Sequence, residues 1–272
     1  MNIGLIAGGG QFPSLFTQRA KEKGYRVIAA GFRSDTDQNL PSLVHEFQWL
    51  HIGQINKLLK FFRRHGVTQA VMLGSIEKAT ALKNVRPDLK ALAFIAKTKK
   101  TLDDSLLSSF AALMEQEGIE IKASTFLLPE LLSPSGCWTQ KQPDKNQMSD
   151  IHQGWKLAKA IGDLDIGQCI VINNGSVLAV EAIDGTDATI RRGGGLSRGQ
   201  GAVLVKLSKP HQDLRFDVPA SGCTTIDTMV ESGVNVLALE AEKSLSFDRE
   251  AMIQKADENG ICIVALTDGD IP

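Results

Sequence analysis

The sequence lacks an excess of charge of either sign. Its 30 Lys and Arg residues balance 31 Asp and Glu residues, which gives a net charge of −1 over 272 residues. General nucleic-acid binders carry a strong basic excess, and polybasic membrane anchors need clustered cations. The near balance argues against both classes, and we expect no nucleic-acid partner.

Long hydrophobic runs and paired cysteines are also missing. No segment approaches the length needed to span a bilayer, and the opening MNIGLIAGGG lacks the basic region of a signal peptide. We therefore expect a cytoplasmic protein. The four cysteines form no CxxC pair, and no histidine lies at zinc-ligand spacing. This scatter predicts reduced thiols rather than disulfides or a structural zinc.

Several common catalytic signatures are absent as well. The sequence contains no GxSxG nucleophile elbow, no P-loop lysine and no HExxH motif. The histidines are isolated or lie on ordinary helix and strand patterns, so we expect them to be structural or solvated. Any chemistry must therefore depend on other side chains.

The first half shows an alternation of apolar strands and amphipathic helices. The predicted strands are 2–7, 26–30, 47–52, 68–73 and 119–123. Such alternation is typical of right-handed crossovers and a parallel sheet, in which ligands bind at the carboxyl ends of the strands. We predict a Rossmann-like N-terminal domain over residues 1–128.

Two of these strands end in glycine-containing loops. The residues concerned, which we predict to contact substrate, are Gly8, Gly9, Gly10 and Gln11 after the first strand and Gly74 and Ser75 after the fourth. Backbone N–H groups in such turns can bind an anion. The GxGxxG fingerprint is incomplete because position 13 is proline, which weakens the case for an NAD-linked dehydrogenase. A tight turn without a ligand stays open as the alternative.

The second half differs from the first in composition and pattern. Prolines interrupt residues 129–148, which we predict to be an interdomain linker. Residues 149–272 open with a helix near 151–161, and Asn174-Gly175 is a strong signal for a two-residue hairpin. Later helices and strands predict a mixed α/β C-terminal domain that carries the catalytic residues. The fold class is therefore α/β with two distinct domains.

Residues 181–222 mix carboxylates and cations around an apolar strand. Cations and a metal can neutralise phosphate oxygens, and carboxylates can hold the metal or orient water, so this stretch suits a phosphorylated substrate. A solvated hairpin with surface ion pairs is the alternative. Arg191 and Arg192 precede a triple glycine. We interpret that segment as a flexible loop, which either folds over a phosphate or is simply exposed to solvent.

Asp217 stands out within the sequence Arg215-Phe216-Asp217-Val218-Pro219. A carboxylate at a strand end before a Pro/Gly turn can face a cleft rather than the surface of a sheet. Its alternative role is to cap that turn.

Four segments, taken together, resemble one known family. They are GLIAGGGQFP at the start, DIGQ at 165–168, AxEAxxGTDATIRR at 179–192 and LVKxxKPxQDxRxDxPxxG at 204–222. In this order they resemble the LpxI-type UDP-2,3-diacylglucosamine pyrophosphatases of lipid A synthesis, over nearly the whole chain.

The resemblance implies hydrolysis of UDP-2,3-diacylglucosamine to UMP and 2,3-diacylglucosamine 1-phosphate (lipid X). It also implies Mg²⁺ dependence, lipid bound between the two domains, and attack of water on the phosphorus next to the sugar. Asp217 matches the aspartate that is essential in the family. Because substrate and product reside in a bilayer, we expect a cytoplasmic protein loosely associated with the inner-membrane surface. A homodimer is left open.

The residues and the resemblance together define a predicted site. We expect Asp217, Arg215 and Lys206 to be catalytic, and Asp217, Asp213 and Glu181 to hold the metal. Further substrate contacts are expected from Gln168, Thr186, Asp187, Arg191 and Gly222. The alternative from another class is a noncatalytic nucleotide-sugar or lipid-phosphate binding protein.

Overall fold

The computed structural model describes residues 1–76, 85–97, 103–213, 215–216 and 218–272. By internal contacts the chain divides into two compact units. The N-terminal unit comprises Met1–Pro129 and Asp213–Asp217, and the C-terminal unit comprises Glu130–Gln212 and Val218–Pro272. A short segment near position 215 therefore groups with the N-terminal unit, although the chain on both sides of it belongs to the other.

The N-terminal unit contains a five-stranded sheet. Its strands are β1 (Asn2–Ala7), β2 (Arg26–Phe32), β3 (Glu46–Leu50), β4 (Gln69–Leu73) and β5 (Glu120–Ile121). They lie in the order β3-β2-β1-β4-β5, and each neighbouring pair is parallel. This arrangement confirms the predicted Rossmann-like sheet. The strand order reverses between β1 and β4, the position at which open α/β sheets bind ligands.

Amphipathic helices cover this sheet. They are α1 (Phe12–Glu22), α2 (Leu40–Leu43), α3 (Ile55–Arg64), α4 (Leu89–Lys97) and α5 (Asp103–Gln116). Helix α3 illustrates why they form, because Ile55, Leu58, Leu59 and Phe62 recur at helical spacing and are all buried. Burial of each such side chain stabilises the fold by about 1.5–3 kcal/mol.

The C-terminal unit contains a six-stranded mixed sheet and a small parallel pair. The strands are β6 (Gly136–Cys137), β7 (Cys169–Asn173), β8 (Ser176–Val180), β9 (Ala202–Lys206), β10 (Ala220–Ser221), β11 (Val234–Glu240), β12 (Leu245–Ser246) and β13 (Cys262–Leu266). The large sheet has the order β6-β13-β11-β9-β7-β8, and β10 pairs with β12. Strands β9, β11 and β13 are parallel, whereas β6, β7 and β8 join antiparallel.

The hairpin prediction is confirmed. Asn174 and Gly175 connect β7 to β8, and both have positive φ, 48° and 75°. A type I′ turn requires positive φ at both central positions, which asparagine and glycine tolerate.

Four helices pack on the C-terminal sheet. They are α6 (Lys145–Asp163), α7 (Gly185–Ser197), α8 (Cys223–Ser232) and α9 (Arg249–Glu258). Helix α6 begins well before the predicted start at 151, because Asp144 and Gln147 form a capping box across its first turn. The stretch 129–148 thus contains the start of α6 and also β6, which pairs with β13. None of the helices in the described ranges is long and apolar enough to cross a bilayer.

The prediction of a flexible loop at Arg191-Arg192 was wrong. Both arginines and the three following glycines lie inside α7. A Cβ at Gly193 would overlap the side chain of Val171 on β7, and a Cβ at Gly194 would overlap Ser232 of α8. The glycines therefore allow close approach of α7 to its neighbours instead of making the segment mobile.

Candidate functional site

The two glycine loops of the N-terminal unit meet at the carboxyl ends of β1 and β4. We call Gly8, Gly9, Gly74 and Ser75 the glycine edge. The Gly8 N–H donates to Leu73 O at 2.7 Å, and the Gly9 N–H donates to Ser75 O at 2.7 Å. A Cβ at Gly8 would lie 2.5 Å from Ser75 O, so the two loops approach too closely for any other residue.

This geometry corrects one part of the sequence interpretation. The Gly8 amide bonds to the last residue of β4 and the Gly9 amide bonds to the neighbouring loop, so neither points at an anion as the turn pattern suggested. Gly10 differs because its φ is +86° and a Cβ there would have open space around it. Gln11 follows as an exposed residue at the start of α1. Substrate contact by these residues stays a prediction.

Four predicted residues come together in the C-terminal unit. We call Gln168, Glu181, Thr186 and Lys206 the Lys206 cluster. The Glu181 carboxylate, which is 6% exposed, accepts a hydrogen bond from Thr186 Oγ1 at 2.8 Å and another from the Gln168 N–H at 2.9 Å. Gly167 makes this possible, since a Cβ there would overlap the Glu181 backbone.

Lys206 is also a buried residue, with 6% of its surface exposed. It ends β9 opposite Cys169 of β7, and its Nζ donates to Ala220 O at 2.6 Å. Burial raises the pKa of the Cys169 thiol well above its ordinary value; the Glu181 charge adds to that effect and Lys206 opposes it. The raised pKa favours the protonated thiol, the form typical of a structural cysteine.

Among the described residues, one buried polar atom of the Lys206 cluster and one atom of a neighbouring serine lack hydrogen-bond partners. Within the described part of the chain, the amide oxygen Gln168 Oε1 accepts no hydrogen bond, and the hydroxyl Ser221 Oγ neither donates nor accepts one. Ser221 directly follows Ala220, which binds Lys206. Buried polar atoms are rarely left unsatisfied in folded proteins, so each of these two atoms can bind a water or a ligand group.

The other predicted substrate residues of this unit lie on helices or at their ends. Asp187 lies in the first turn of α7, and Arg191 is exposed on the same helix. Arg192 forms an ion pair with Asp184 and donates a hydrogen bond to Val180 O at 2.7 Å. Gly222 precedes the first turn of α8. Their contact with substrate stays a prediction.

Asp213 and Arg215 form an ion pair within the N-terminal unit. Arg215 Nη2 lies 2.8 Å from Asp213 Oδ2, and Arg215 Nη1 lies 3.2 Å from Glu115 Oε1. Ser108 Oγ also donates to Asp213 at 3.2 Å. The hydrogen bond from Arg215 holds the pKa of Asp213 below its ordinary value, and it raises the pKa of Arg215 in return. Asp217 lies outside the described residues.

The predicted magnesium ligands can be tested against this geometry. Both carboxylate oxygens of Asp213 accept hydrogen bonds from Arg215, and both oxygens of Glu181 are engaged within the Lys206 cluster. Asp213 and Glu181 also fall in different units. No group of three His, Cys, Asp or Glu side chains in the described ranges could hold a metal ion. The described carboxylates alone do not form a magnesium site.

Sequence reasoning missed a charged network around Glu240. This residue ends β11 and is 1% exposed. Its carboxylate binds Lys159 Nζ at 2.6 Å and Lys243 Nζ at 2.8 Å, and it accepts from the N–H and hydroxyl of Ser208. The signal that could have located it is the glutamate that closes the apolar run VNVLALE, because strand ends carry functional side chains.

Comparisons with known proteins cover both units. A family model described as the LpxI N-terminal domain matches residues 2–131, and one described as the LpxI C-terminal domain matches residues 134–264. The chain is 33% identical over 279 residues to the UDP-2,3-diacylglucosamine pyrophosphatase LpxI of Caulobacter vibrioides, with 99% of each chain covered.

Solved structures share less with this chain. A GalE-like L-threonine dehydrogenase from Cupriavidus necator is 14% identical, with a TM-score of 0.34 over 98% of this chain and 86% of that one. A UDP-glucose-4-epimerase from Stenotrophomonas maltophila is 12% identical, with a TM-score of 0.29 over 44% of this chain and 34% of that one. Both scores lie below 0.5.

Proposed function

The chain belongs to the LpxI family, and from that premise we propose that it is a hydrolase of the pyrophosphate bond in UDP-2,3-diacylglucosamine. The products are UMP and 2,3-diacylglucosamine 1-phosphate. The observation that carries the proposal is the relative from Caulobacter vibrioides, whose name states this activity and which aligns over 99% of both chains.

The Lys206 cluster supports a phosphate-binding role for the C-terminal unit. An ammonium group has three N–H donors, and among the described residues Lys206 uses one of them on Ala220 O. A buried cation with remaining donors can stabilise charge that develops on a phosphate oxygen, because the surrounding dielectric is low. The unpartnered Gln168 Oε1 and Ser221 Oγ add hydrogen-bonding capacity beside it.

Arg215 has a more constrained role in this proposal. Its guanidinium is already compensated by Asp213 and Glu115. A guanidinium has five N–H donors, so Arg215 can bind a phosphate through the N–H groups that Asp213 and Glu115 do not use, or by exchange of one of these partners. The side chain is 36% exposed, which gives solvent and ligand access to that pair.

We assign to Asp217 the task of orienting the attacking water, on the strength of its place in the RxDxP motif. Magnesium belongs to the same proposal, and when bound it would neutralise negative charge on the phosphate oxygens.

Replacement of Asp217 tests this assignment. We expect Asp217→Asn to lower kcat by about 10²–10⁴-fold, the usual contribution of a positioned general acid or base. The control is Asp163→Asn, which removes a 58% exposed carboxylate of the C-terminal unit and should leave kcat unchanged. UMP release is followed by chromatography, before and after EDTA and readdition of Mg²⁺.

Each outcome of that experiment tests a different part of the proposal. Wild-type turnover in EDTA would remove magnesium from the proposal, and normal turnover by Asp217→Asn would remove the role of Asp217. Binding of substrate by the wild type without any release of UMP would favour the noncatalytic nucleotide-sugar or lipid-phosphate binding protein.

We also propose loose association with the inner-membrane surface. Ile183 is 93% exposed and Ile166 is 49% exposed, and in sequence they flank Glu181 and Gln168. Exposed apolar side chains can enter the boundary between headgroups and acyl chains. Cosedimentation with anionic phospholipid vesicles tests this point, and Ile183→Ser should reduce the bound fraction. A homodimer stays a prediction, which light scattering would test.

A further inference from the structure

A cavity opens at the carboxyl ends of β2 and β3 in the N-terminal unit. Its volume is about 250 Å³, and its lining consists of Phe32, Arg33, Ser34, Leu50, His51 and Ile52. Three of these six residues are apolar and three are polar. Small-molecule sites typically combine apolar walls with a few convergent polar groups.

The cavity lies beside the glycine edge. The loop that follows β2 contains Arg33 and Ser34 and continues to Thr36, whose hydroxyl donates to Ala7 O at the end of β1 at 2.6 Å. A Cβ at Gly9 would lie 2.9 Å from Asp35 O, so this loop packs directly on the glycine turn. A ligand in the cavity can therefore extend toward Gly10, where space is open.

Arg33 provides a positioned cation at this cavity. Its guanidinium lies over the Trp49 ring at 5.4 Å, and Trp49 in turn packs edge-on against Phe47 with ring centroids 4.7 Å apart. Stacking on an aromatic ring limits the conformations of an arginine side chain. An exposed and oriented guanidinium is suited to a phosphate, which it can bind through two parallel hydrogen bonds.

The volume of this cavity limits which part of a nucleotide-linked lipid it can bind. Pockets that hold a whole drug-sized ligand measure about 300–1,000 Å³, and this one is smaller. Two acyl chains do not fit there. Its volume is closer to that of a single ring with a sugar, and Phe32, Leu50 and Ile52 offer apolar surface to such a ring while His51 offers a polar group.

We propose that this cavity binds the uridine monophosphate moiety, with uracil and ribose inside it and the phosphate on Arg33. The inference deepens the proposed function and rests on it for the identity of the nucleotide. It assigns to the N-terminal unit a uridine-specific contact through residues that lie beyond the glycine edge.

Calorimetric titration of UMP into the full-length protein tests the inference. We expect Arg33→Ala to weaken UMP binding by about tenfold or more, which is typical for loss of a charge-assisted hydrogen bond. The matched control is Arg26→Ala, which removes an exposed arginine at the opposite end of the same strand and should change the Kd less than twofold. Ser34→Phe fills the cavity from an exposed loop position and should also weaken UMP binding.

Steady-state kinetics with UDP-2,3-diacylglucosamine give a second readout. Arg33→Ala should raise KM by a similar factor and leave kcat nearly unchanged, because it removes binding that substrate and transition state share. AMP and inorganic phosphate serve as comparison ligands. Equal affinity for AMP and UMP, or unchanged UMP binding in both Arg33→Ala and Ser34→Phe, would overturn the inference.

The two proposals fail in different ways. If the wild-type protein binds UMP through Arg33 but releases no UMP from the substrate, the cavity assignment holds and the proposed function is wrong. If the wild-type protein hydrolyses the substrate and the Arg33→Ala and Ser34→Phe variants behave as it does, the proposed function holds and the cavity assignment is wrong.

Discussion

Glu240 illustrates how a single buried carboxylate stays ionised in the C-terminal unit. Burial acts to raise its pKa, but hydrogen bonds from Lys159, Lys243 and Ser208 outweigh that effect and hold the pKa below its ordinary value. A carboxylate of this kind stabilises the fold fully above its unfolded pKa, which is about 4.3 for glutamate. The stabilisation is lost as the pH falls through the lower folded pKa.

Neutralising Glu240 should therefore matter most at neutral pH. We expect Glu240→Gln to lower the free energy of unfolding by about 1.5–3 kcal/mol at neutral pH, the contribution of hydrogen bonds to a charged group. The difference from wild type should shrink in acid as the wild-type carboxylate is protonated. Urea unfolding at neutral pH and at about pH 3 measures the free energy of unfolding under both conditions. The acidic pH lies below the pKa of glutamate in the unfolded chain.

The control for this change is Glu242→Gln, two positions away and exposed. It should leave the free energy of unfolding nearly the same at both values of pH. An equal loss of stability in both variants would show that the network around Glu240 contributes nothing specific.

At the scale of elements, α7 shows how glycines can serve a helix. Three consecutive glycines carry a low intrinsic helix propensity, at a cost of about 1 kcal/mol each relative to alanine. The helix forms nevertheless because Gly193 and Gly194 allow it to pack against β7 and α8. The sequence pattern predicted a loop because propensity is a local property, whereas Val171 and Ser232 come from other elements.

Alanine substitutions in α7 should have opposite effects at neighbouring positions. We expect Gly193→Ala to lower the free energy of unfolding by about 1–3 kcal/mol, because its Cβ would overlap Val171. Gly195→Ala is the matched control: a Cβ there meets nothing within 4 Å, so we expect stabilisation by about 0.5–1 kcal/mol. Thermal unfolding of the two variants measures both signs, and destabilisation by Gly195→Ala would contradict this account of the helix.

The same distinction between local and distant signals explains which elements could be predicted. The apolar runs that form β1 and β4 and the Asn174-Gly175 turn act within a few residues, so the sequence indicated them correctly. The capping box of Asp144 and Gln147 is also local, and it accounts for the start of α6 within the stretch 129–148.

At the scale of the whole molecule, the α/β class and the parallel N-terminal sheet were predictable, and several site contacts were not. Glu240 binds Lys159 across 81 positions and Ser208 across 32 positions, separations that no short pattern contains. The amides of Gly8 and Gly9 were expected to face a ligand, yet their partners are Leu73 at the end of β4 and Ser75 in the loop after it. Residues Arg215 and Phe216 group with the N-terminal unit through packing that the C-terminal sequence around them does not indicate.

The proposed activity concerns the whole chain, since matches to the LpxI family extend over residues 2–131 and 134–264. Incubation of the purified protein with UDP-2,3-diacylglucosamine and Mg²⁺ in ¹⁸O-labelled water tests it most directly, with both products analysed by mass spectrometry. We expect equal amounts of UMP and 2,3-diacylglucosamine 1-phosphate, with one labelled oxygen per pair carried by the sugar phosphate. Intact substrate after prolonged incubation, or products without label, would contradict hydrolysis by this protein.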